Sequence, residues 1–328
     1  MVPLELVRRP RRRAILIALG LSDADIRRCV RRGVLQHHHG HYLDGSVVRD
    51  QAVIACAQAA YPGSVVSHFS AAHLAGLSTW VDRTRRPAPP YDATWLTRPP
   101  TAGRNQLRPD IVVRRAGLAA GDLALHEWLL TTSAARTAVD LARELPLREA
   151  VVTVDDVLRS GATRTELLTI LDRQERWPGA RQARTAINFG NPLSESALES
   201  IGRVFCAVAG FPPPVLQAQF FDGYQWMPER VDFWWPRFRL VAEADGLFKY
   251  DGPTPEDRRR RIRSSYRRDQ RLSDRGIELV HFGWEDVVQP HSDLIARLRS
   301  AAHRGQSRPG DPPIWRVAPT ALPTTATA

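Results

Sequence analysis

The chain lacks the features that mark secreted, zinc-binding and membrane-spanning proteins. Its three cysteines, Cys29, Cys56 and Cys206, lie far apart and form no CxxC pair, so neither a disulfide framework nor a zinc knuckle is indicated. The apolar runs are short and interrupted by charge, so no segment is expected to cross a bilayer. The N-terminal arginines are not followed by the apolar run and small-residue cleavage site of a signal peptide. We therefore expect a cytoplasmic protein.

Lysine is almost absent as well. Lys249 is the only lysine among 46 basic residues, so arginine supplies nearly all of the positive charge behind the net charge of +11. This balance, with a pI near 10.6, favours a polyanionic partner. With 328 residues, of which 43% are hydrophobic, the chain is long enough for two or three domains with apolar cores.

The first part of the chain, residues 1–49, has the pattern of a helix, a turn, a second helix and a small hairpin. Ser22 followed by Asp25 is typical of a helix N-terminus, and Gly33 closes this second helix. The order predicts a winged helix-turn-helix whose second helix enters a DNA groove. The residues predicted to bind DNA are Arg27, Arg28, Arg31 and Arg32. Alternatively, these arginines form an ordinary solvated helix face.

Residues 50–186 alternate between helical and strand-like patterns, which predicts a mixed α/β region. Ser70 is predicted to cap a helix with the sequence SAAHLAGL. His68 and His73 have no third ligand or nucleophile partner in the pattern, so we expect them to be structural. Without a catalytic constellation, this region is expected to pack, to space the other parts or to contact a partner protein.

Several segments of these two regions resemble one family. Starting at Leu19, the chain contains LGLS, IRRCVRRGVL and HGHYLDG, which are similar to the winged-helix domain of AbiEi-type antitoxins from type IV toxin–antitoxin systems. The segments VVSHFSAAHLAGL and TTSAARTAVDLAREL resemble the region that follows the winged helix in such proteins. The resemblance implies promoter-DNA binding by the helix over residues 22–32, with a cognate toxin among the partners.

Residues 230–250 predict a β-hairpin. Two apolar runs, Val231–Trp235 and Leu240–Ala244, flank a Pro-Arg-Phe turn, and Gly246 punctuates the end. With the turn centred between Arg237 and Phe238, opposing residues have numbers that sum to 475, and this sum sets the register of the two strands.

That register places two acidic residues face to face. Asp232 lies opposite Glu243, and Arg230 lies opposite Asp245. Directly opposed residues have Cβ atoms roughly 4.5–5.5 Å apart, where like charges destabilise a sheet. A divalent cation explains the pair, because hard cations take carboxylate oxygens. The alternative is a solvated edge at which Asp245 simply pairs with Arg230.

The rest of the C-terminal part, residues 187–304, surrounds this hairpin with helices. Ser194 is predicted to open a helix that carries Glu195 and Glu199 on one face. Residues 254–275 predict a strongly basic helix, followed by a strand and two further helices. Residues 305–328, rich in Pro, Thr and Ala, are predicted to be a disordered tail.

The order of these motifs resembles the PD-(D/E)xK nuclease fold, especially the small endonuclease-like domains related to very short patch repair enzymes. The similarity covers about residues 191–302 and rests on ESIGR, VDFWWP, VAEADG, RRDQRLSDRG and HFGWEDV. It implies a restriction-endonuclease-like α/β/α domain that hydrolyses phosphodiester bonds in DNA with Mg²⁺ (or Mn²⁺). The implied metal ligands are Asp232, Glu243 and Asp245. The implied catalytic residues are Glu199, Asp232, Glu243, Asp245 and Lys249.

Three arginines of the basic helix, Arg267, Arg268 and Arg271, are predicted to contact DNA. Lys249, or an arginine such as Arg267 or Arg268, is implied to stabilise charge that develops on the phosphate. The alternative for this helix is a solvated surface position. Glu195 competes with Glu199 for the helical position in the site. The usual motif has Lys where this chain has Asp245, which leaves open an inactive, DNA-binding version of the fold.

Together these patterns predict a mixed α/β protein with three structured parts and a tail. The function predicted from them is DNA binding coupled to a metal-dependent endonuclease-like domain. The alternative is a non-catalytic transcriptional regulator or antitoxin of a type IV toxin–antitoxin system that uses a degenerate nuclease fold. The sequence leaves the oligomeric state open.

Overall fold

The computed structural model describes residues 7–84, 90–103, 105–246, 254–289 and 293–319. It confirms a mixed α/β fold with three sheets, and the chain divides into two compact units, Met1–Phe189 and Gly190–Ala328. The helices in the described residues are α1 (Arg13–Ala18), α2 (Asp23–Arg31), α3 (Arg49–Ala60), α4 (His68–Leu74), α5 (Ala134–Glu144), α6 (Leu147–Arg159), α7 (Arg164–Asp172), α8 (Ala180–Phe189), α9 (Ala197–Val208), α10 (Pro255–Ser273), α11 (Trp284–Val288) and α12 (Leu294–Gln306). The strands are β1 (Arg11–Arg12), β2 (Leu35–His38), β3 (His41–Asp44), β4 (Val65–Val66), β5 (Thr94–Arg98), β6 (Gln106–Leu107), β7 (Ile111–Arg115), β8 (Leu123–His126), β9 (Leu129–Thr132), β10 (Val215–Phe220), β11 (Val231–Trp235), β12 (Leu240–Ala244), β13 (Glu278–Phe282) and β14 (Trp315–Val317).

The first unit begins with the predicted helix, turn, helix and hairpin. Ser22 opens α2 in a capping box: its Oγ accepts from the backbone N–H of Asp25, and its own N–H donates to the Asp25 carboxylate. β2 and β3 form the hairpin, and β1 adds a third strand beside β3. A Cβ atom on Gly45 would lie 1.7 Å from the carbonyl oxygen of Gly33, so only glycine allows the end of the hairpin to approach the end of α2. The winged arrangement predicted from the sequence is present.

The wing and the following region share one apolar core. Leu43 of the hairpin belongs to the same buried cluster as Ile54 of α3, Leu96 of β5 and Leu129 of β9. The sheet behind this cluster has the order β6-β7-β5-β4-β9-β8. This shared cluster crosses the predicted boundary between residues 49 and 50, and the winged helix has a second apolar cluster of its own around Leu16, Ile26 and Leu35.

Ser70 does not cap a helix, contrary to the prediction. Ser67 occupies the N-cap position of α4, and Ser70 lies inside the helix, buried. Its Oγ accepts a hydrogen bond from the backbone N–H of Trp95 at 2.9 Å, so the hydroxyl joins the helix to β5 instead.

The second unit is built on a sheet with the order β13-β12-β11-β10-β14. The pairs Phe233↔Ala242 and Trp235↔Leu240 give β11 and β12 the hairpin register predicted from the turn. Successive strand residues point to opposite faces. Trp234 shares an apolar cluster with Leu272 of α10, whereas Phe233 lies on the other face against Gly202 of α9. Helices thus cover both faces, as an α/β/α layering requires.

Two expectations for this unit are corrected. Ser196, not Ser194, is the N-cap of α9, and its Oγ accepts from the backbone N–H of Glu199. The stretch predicted to be a disordered tail from residue 305 is ordered in its first part. β14 pairs antiparallel with β10 through Ala218↔Val317 and so extends the sheet by one strand. No helix within the described ranges is both long and apolar enough to span a membrane.

Candidate functional site

The predicted DNA-binding arginines lie together on α2 and at its C-cap. Arg27, Arg28, Arg31 and Arg32 are all exposed, whereas Ile26 of the same helix is buried. Ile26 packs with Leu16 and Leu35, so one helix face is fixed in the core and the arginines remain at the surface. Arg28 forms an ion pair with Asp25 of the capping box. Arg28 is thus the one of these four arginines whose side chain is directed towards the N-terminal turn of α2.

Asp232 and Glu243 lie directly beyond the paired residues Phe233 and Ala242, so continuing the register of the hairpin sets them opposite each other. The Asp232 carboxylate accepts a hydrogen bond from the backbone N–H of Ala244 at 2.8 Å. Glu243 is 1% exposed, and one of its oxygens lies 3.2 Å from the guanidinium of Arg268. Within the described part of the chain, Arg268 of α10 thus supplies positive charge to this carboxylate pair.

Glu199 completes this acidic cluster from α9. Its carboxylate accepts from the Ser196 hydroxyl at 2.8 Å, from the Glu195 backbone N–H at 2.9 Å and from the Gln217 amide at 3.2 Å. Burial, and next the negative charge of Asp232, raise the pKa of Glu199 to about 7. A carboxyl that holds its proton near neutral pH can act as an acid or a base.

The two glutamates that compete for the site, Glu195 just before α9 and Glu199 within it, have different partners. Glu195 points to Arg230, and the two side chains form a bidentate ion pair with N–O distances of 2.6 and 3.0 Å. Glu199 instead adjoins Asp232. The alternative that Arg230 pairs with Asp245 is wrong, since Arg230 is engaged by Glu195.

Asp245 lies beside a histidine. Nδ1 of His281 is 2.8 Å from Asp245, and Nε2 is 3.1 Å from Asp269. These hydrogen bonds, the one to Asp245 first, raise the pKa of His281 to about 9, so its ring is cationic at neutral pH. Two cations, Arg268 and protonated His281, thus stand among the acidic residues of this cluster.

The remaining predicted site residues take different positions. Lys249 lies outside the described residues. Arg267 is exposed, whereas Arg271 pairs with Glu229 and Arg268 is turned to Glu243. A groove of about 590 Å³ runs along α10, and the arginines that line it are Arg259, Arg260, Arg263, Arg267 and Arg271. This groove has the charge expected of a phosphate-binding surface.

Sequence reasoning missed three polar members of the cluster, Gln217, Asp269 and His281. Gln217 has a positive φ of 53° within β10, and no sequence pattern predicts this conformation. His281 stands in the HFGWEDV segment, and Asp269 stands in RRDQRLSDRG. Both segments contributed to the nuclease resemblance without receiving a role, so the signal for them was present.

The described residues do not fit a Mg²⁺ ion in this arrangement. They contain no group of three Asp, Glu, His or Cys side chains placed to hold a metal. Arg268 lies at Glu243, and Asp232 is hydrogen-bonded to the hairpin backbone. Mg²⁺ (or Mn²⁺) at Asp232, Glu243 and Asp245 stays a prediction, and it requires Arg268 to release Glu243.

Comparison with known proteins identifies part of the first unit. Residues 64–185 match the family model of the AbiEi antitoxin C-terminal domain. The chain is also 34% identical over 182 residues to two uncharacterized proteins of Mycobacterium tuberculosis, one from strain CDC 1551 / Oshkosh and one from strain ATCC 25618 / H37Rv. The alignment spans 55% of this chain and 63% of each relative.

The AbiEi match confirms the resemblance read from two sequence segments. VVSHFSAAHLAGL and TTSAARTAVDLAREL both lie within residues 64–185. No corresponding support exists for the endonuclease-like interpretation of residues 187–304, because neither the AbiEi match nor the relatives' names refer to a nuclease. The comparisons favour the toxin–antitoxin alternative.

Replacing Glu199 with Gln is expected to stabilise the protein at pH 8 and to change little at pH 4.5. The pKa of Glu199 is about 7 in the folded chain against 4.5 for a free side chain, so its contribution to stability is complete below pH 4.5 and is lost as the pH rises through 7. Gln imitates the protonated form at every pH. One pKa unit corresponds to about 1.4 kcal/mol, so the gain at pH 8 is on the order of 2–3 kcal/mol.

Urea unfolding at both pH values measures this difference. Glu195→Gln is the matched control, since Glu195 precedes the same helix but is 44% exposed in its ion pair with Arg230. Exposed pairs contribute about 0–1 kcal/mol. An equal effect of Glu199→Gln at pH 4.5 and pH 8 would contradict the assignment of a proton to Glu199.

Proposed function

We propose that this protein is a DNA-binding regulator of a toxin–antitoxin pair, with a cognate toxin as its counterpart. The observation that carries the proposal is the combination of an exposed arginine face on α2 with a region, residues 64–185, that matches the AbiEi antitoxin C-terminal domain. In such a protein the winged helix binds promoter DNA and the antitoxin-like region contacts the toxin.

The geometry of the winged helix supports contact with DNA. In this arrangement the helix can enter the major groove of DNA while the hairpin, or wing, lies against the neighbouring DNA surface. Ile26 anchors α2, so Arg27 and Arg31 project from a helix whose orientation is fixed. Such arginines can reach phosphates or guanine edges. The arginine groove along α10 offers the second unit a phosphate contact of its own.

Replacing Arg27 and Arg31 together with Gln is expected to weaken DNA binding at every salt concentration. Each lost phosphate contact lowers the slope of log K against log salt by about one, so two contacts lower it by about two. Fluorescence anisotropy with a duplex from the promoter region, measured at several salt concentrations, gives both quantities.

The control for this pair is Arg181→Gln. Arg181 is also exposed and also lies on a helix of the first unit, α8, but far along the chain from the winged helix. If only the net charge of the protein mattered, Arg181→Gln, which removes one charge instead of two, would weaken DNA binding and lower the salt slope by about half as much. Unchanged affinity and slope in the Arg27→Gln/Arg31→Gln protein would overturn the proposal that α2 binds DNA.

A metal-dependent phosphodiesterase is the second candidate function. It is favoured by one observation, the register that sets Asp232 opposite Glu243 with Glu199 nearby at a raised pKa. Arg268 stands against it as the structure is arranged. The response of an Arg268 variant to Mg²⁺ discriminates between the two candidates.

A further inference from the structure

The first unit contains a cavity to which the proposed function gives no role. It has a volume of about 470 Å³ and is lined by residues of α4, α5, β5, β7 and the turn before α8. The side chains that matter for its chemistry are His68, Arg114, Arg143, Glu144 and Trp177. Its volume is in the range of pockets that enclose small organic ligands, roughly 300–1,000 Å³.

His68 forms a fixed polar group in the wall of the cavity. It is 3% exposed and has a positive φ of 50°, a conformation that a non-glycine residue adopts at an energetic cost. Its Nδ1 is 2.9 Å from the Ser67 hydroxyl, which in turn accepts from Thr97 at 2.8 Å. The ring also packs on Trp95 with centroids 4.8 Å apart. The side chain is therefore held in one orientation.

The ring of His68 is uncharged. Burial, reinforced by the positive charges of Arg114, Arg143 and Arg136, lowers its pKa to about 3 against the opposing effect of Glu144. With Nδ1 committed to Ser67, the other ring nitrogen, Nε2, has no hydrogen-bond partner among the described residues. A neutral nitrogen at a cavity wall can exchange a hydrogen bond with a ligand.

Arg143 brings positive charge to the cavity wall and has one nitrogen without a hydrogen-bond partner. Its side chain is 11% exposed, and within the described structure its Nε is buried without a hydrogen-bond partner. Its other contacts are long, 3.3 Å to Gln174 and 3.6 Å to Asp140. A buried donor without an acceptor is unfavourable unless a ligand satisfies it.

The acidic residues of the wall already have counter-ions. Glu144 takes a bidentate pair of hydrogen bonds from Arg114, at 2.8 and 2.9 Å. Asp140 accepts from Arg136 at 2.9 Å. The lining as a whole holds three arginines, Arg114, Arg115 and Arg143, against the two acids Asp140 and Glu144, so its net charge is positive and an anion is the ligand that fits it.

The aromatic side of the cavity is rigid. The guanidinium of Arg143 lies 4.9 Å from the centre of the Trp177 ring, so the indole orients it. A Cβ atom on Gly179 would lie 2.0 Å from the carbonyl oxygen of Arg143, so the turn that holds Trp177 packs directly on the backbone of α5. Arg143 is thus positioned before any ligand enters.

We propose that this cavity binds a small organic phosphate of about the size of a mononucleotide, with its phosphate on Arg143 and a polar group of its organic part on His68. Arginine matches phosphate in geometry and charge. A phosphate ion alone fills only a small part of 470 Å³, which leaves room for the organic part beside Trp177.

Calorimetric titration of the full chain with adenosine 5′-monophosphate and guanosine 5′-monophosphate tests the proposal. Saturable binding is expected for at least one of them, at least about tenfold tighter than inorganic phosphate, with none for adenosine. Arg143→Gln is expected to weaken binding by about tenfold or more, because it removes a charge-assisted hydrogen bond. Arg181→Gln, outside the cavity lining, should bind as the unchanged chain does.

Two further proteins keep the test decisive. If Arg143→Gln does not fold, His68→Asn replaces it, because Asn tolerates a positive φ, and the same weakening is expected. The Arg27→Gln/Arg31→Gln protein should keep full affinity, which separates this cavity from the DNA-binding surface. Absence of saturable binding by any phosphate compound up to millimolar concentration, an equal response to citrate, or unchanged affinity in the Arg143 and His68 variants overturns the proposal.

Discussion

Replacing Arg136 with Met is expected to destabilise the first unit by about 3–5 kcal/mol, because it leaves two buried carboxylates with too little positive charge. Arg136, Asp122 and Asp140 are each 1% exposed. The guanidinium lies 2.8 Å from Asp122 and 2.9 Å from Asp140. Met fills a similar volume, so the expected loss is electrostatic and not a matter of packing. Urea unfolding at pH 7, followed by circular dichroism, measures it.

Arg184→Met is the matched control for this experiment. Arg184 pairs with Asp172 at 2.7 Å, but these side chains are 46% and 62% exposed. Solvent screens such a pair, so its loss is expected to cost less than about 1 kcal/mol. If Arg136→Met proves no more harmful than Arg184→Met, the buried network does not stabilise the fold.

The winged helix could be predicted from the sequence because its signals are local. Ser22, Asp25 and Gly33 determine the ends of α2 through hydrogen bonds and a backbone angle within a few residues. The cap of α4 could not be predicted in the same way. Ser67 and Ser70 both suit a helix start, and the choice depends on Trp95, which is distant in sequence and donates to Ser70.

In the second unit the register of the hairpin could be predicted from its turn, whereas the edge strand β14 could not be predicted from the sequence. Only four residues, from Pro236 to Arg239, separate the two strands, so the pairing of β11 with β12 follows by counting. β14 joins β10 across about a hundred residues, through a segment whose Pro-rich composition predicts disorder. Strand pairing between segments so far apart in sequence cannot be predicted from local residue patterns.

Most acids of the carboxylate cluster could be predicted from the sequence, whereas Asp269 and the contacts of the cations could not. The hairpin spacing predicted that Asp232 and Glu243 face each other, and the resemblance to the nuclease fold implied Glu199. The basic helix offers many arginines of the same type, and only the fold turns Arg268 inward to Glu243 while Arg267 stays exposed. The position of a helical arginine relative to a sheet depends on how the helix docks.

Arg268→Gln is expected to destabilise the second unit by about 3 kcal/mol at pH 8 and by much less at pH 4.5. Arg268 is 16% exposed and lies 3.2 Å from Glu243, which is 1% exposed, and its charge also acts on Asp232. Removing one partner of a buried pair has this order of effect. The loss is larger at pH 8, where ionised Glu199 adds negative charge beside Asp232, than at pH 4.5, where Glu199, with its pKa of about 7, holds its proton. Arg267→Gln, exposed on the next position of the helix, is the control.

Mg²⁺ then decides between the two candidate functions. If Asp232, Glu243 and Asp245 can hold a metal, the ion should replace the missing guanidinium and raise the melting temperature of Arg268→Gln more than that of the unchanged chain. A ligand that binds only the folded state stabilises it by mass action, by about 2.7 kcal/mol at 100 times its Kd. Adding Asp232→Ala to Arg268→Gln should abolish the response, because one of the two facing carboxylates is then gone. If millimolar Mg²⁺ and Mn²⁺ leave Arg268→Gln as unstable as before, the acidic cluster is a charge network closed by arginine and histidine, and the DNA-binding regulator is the function that remains.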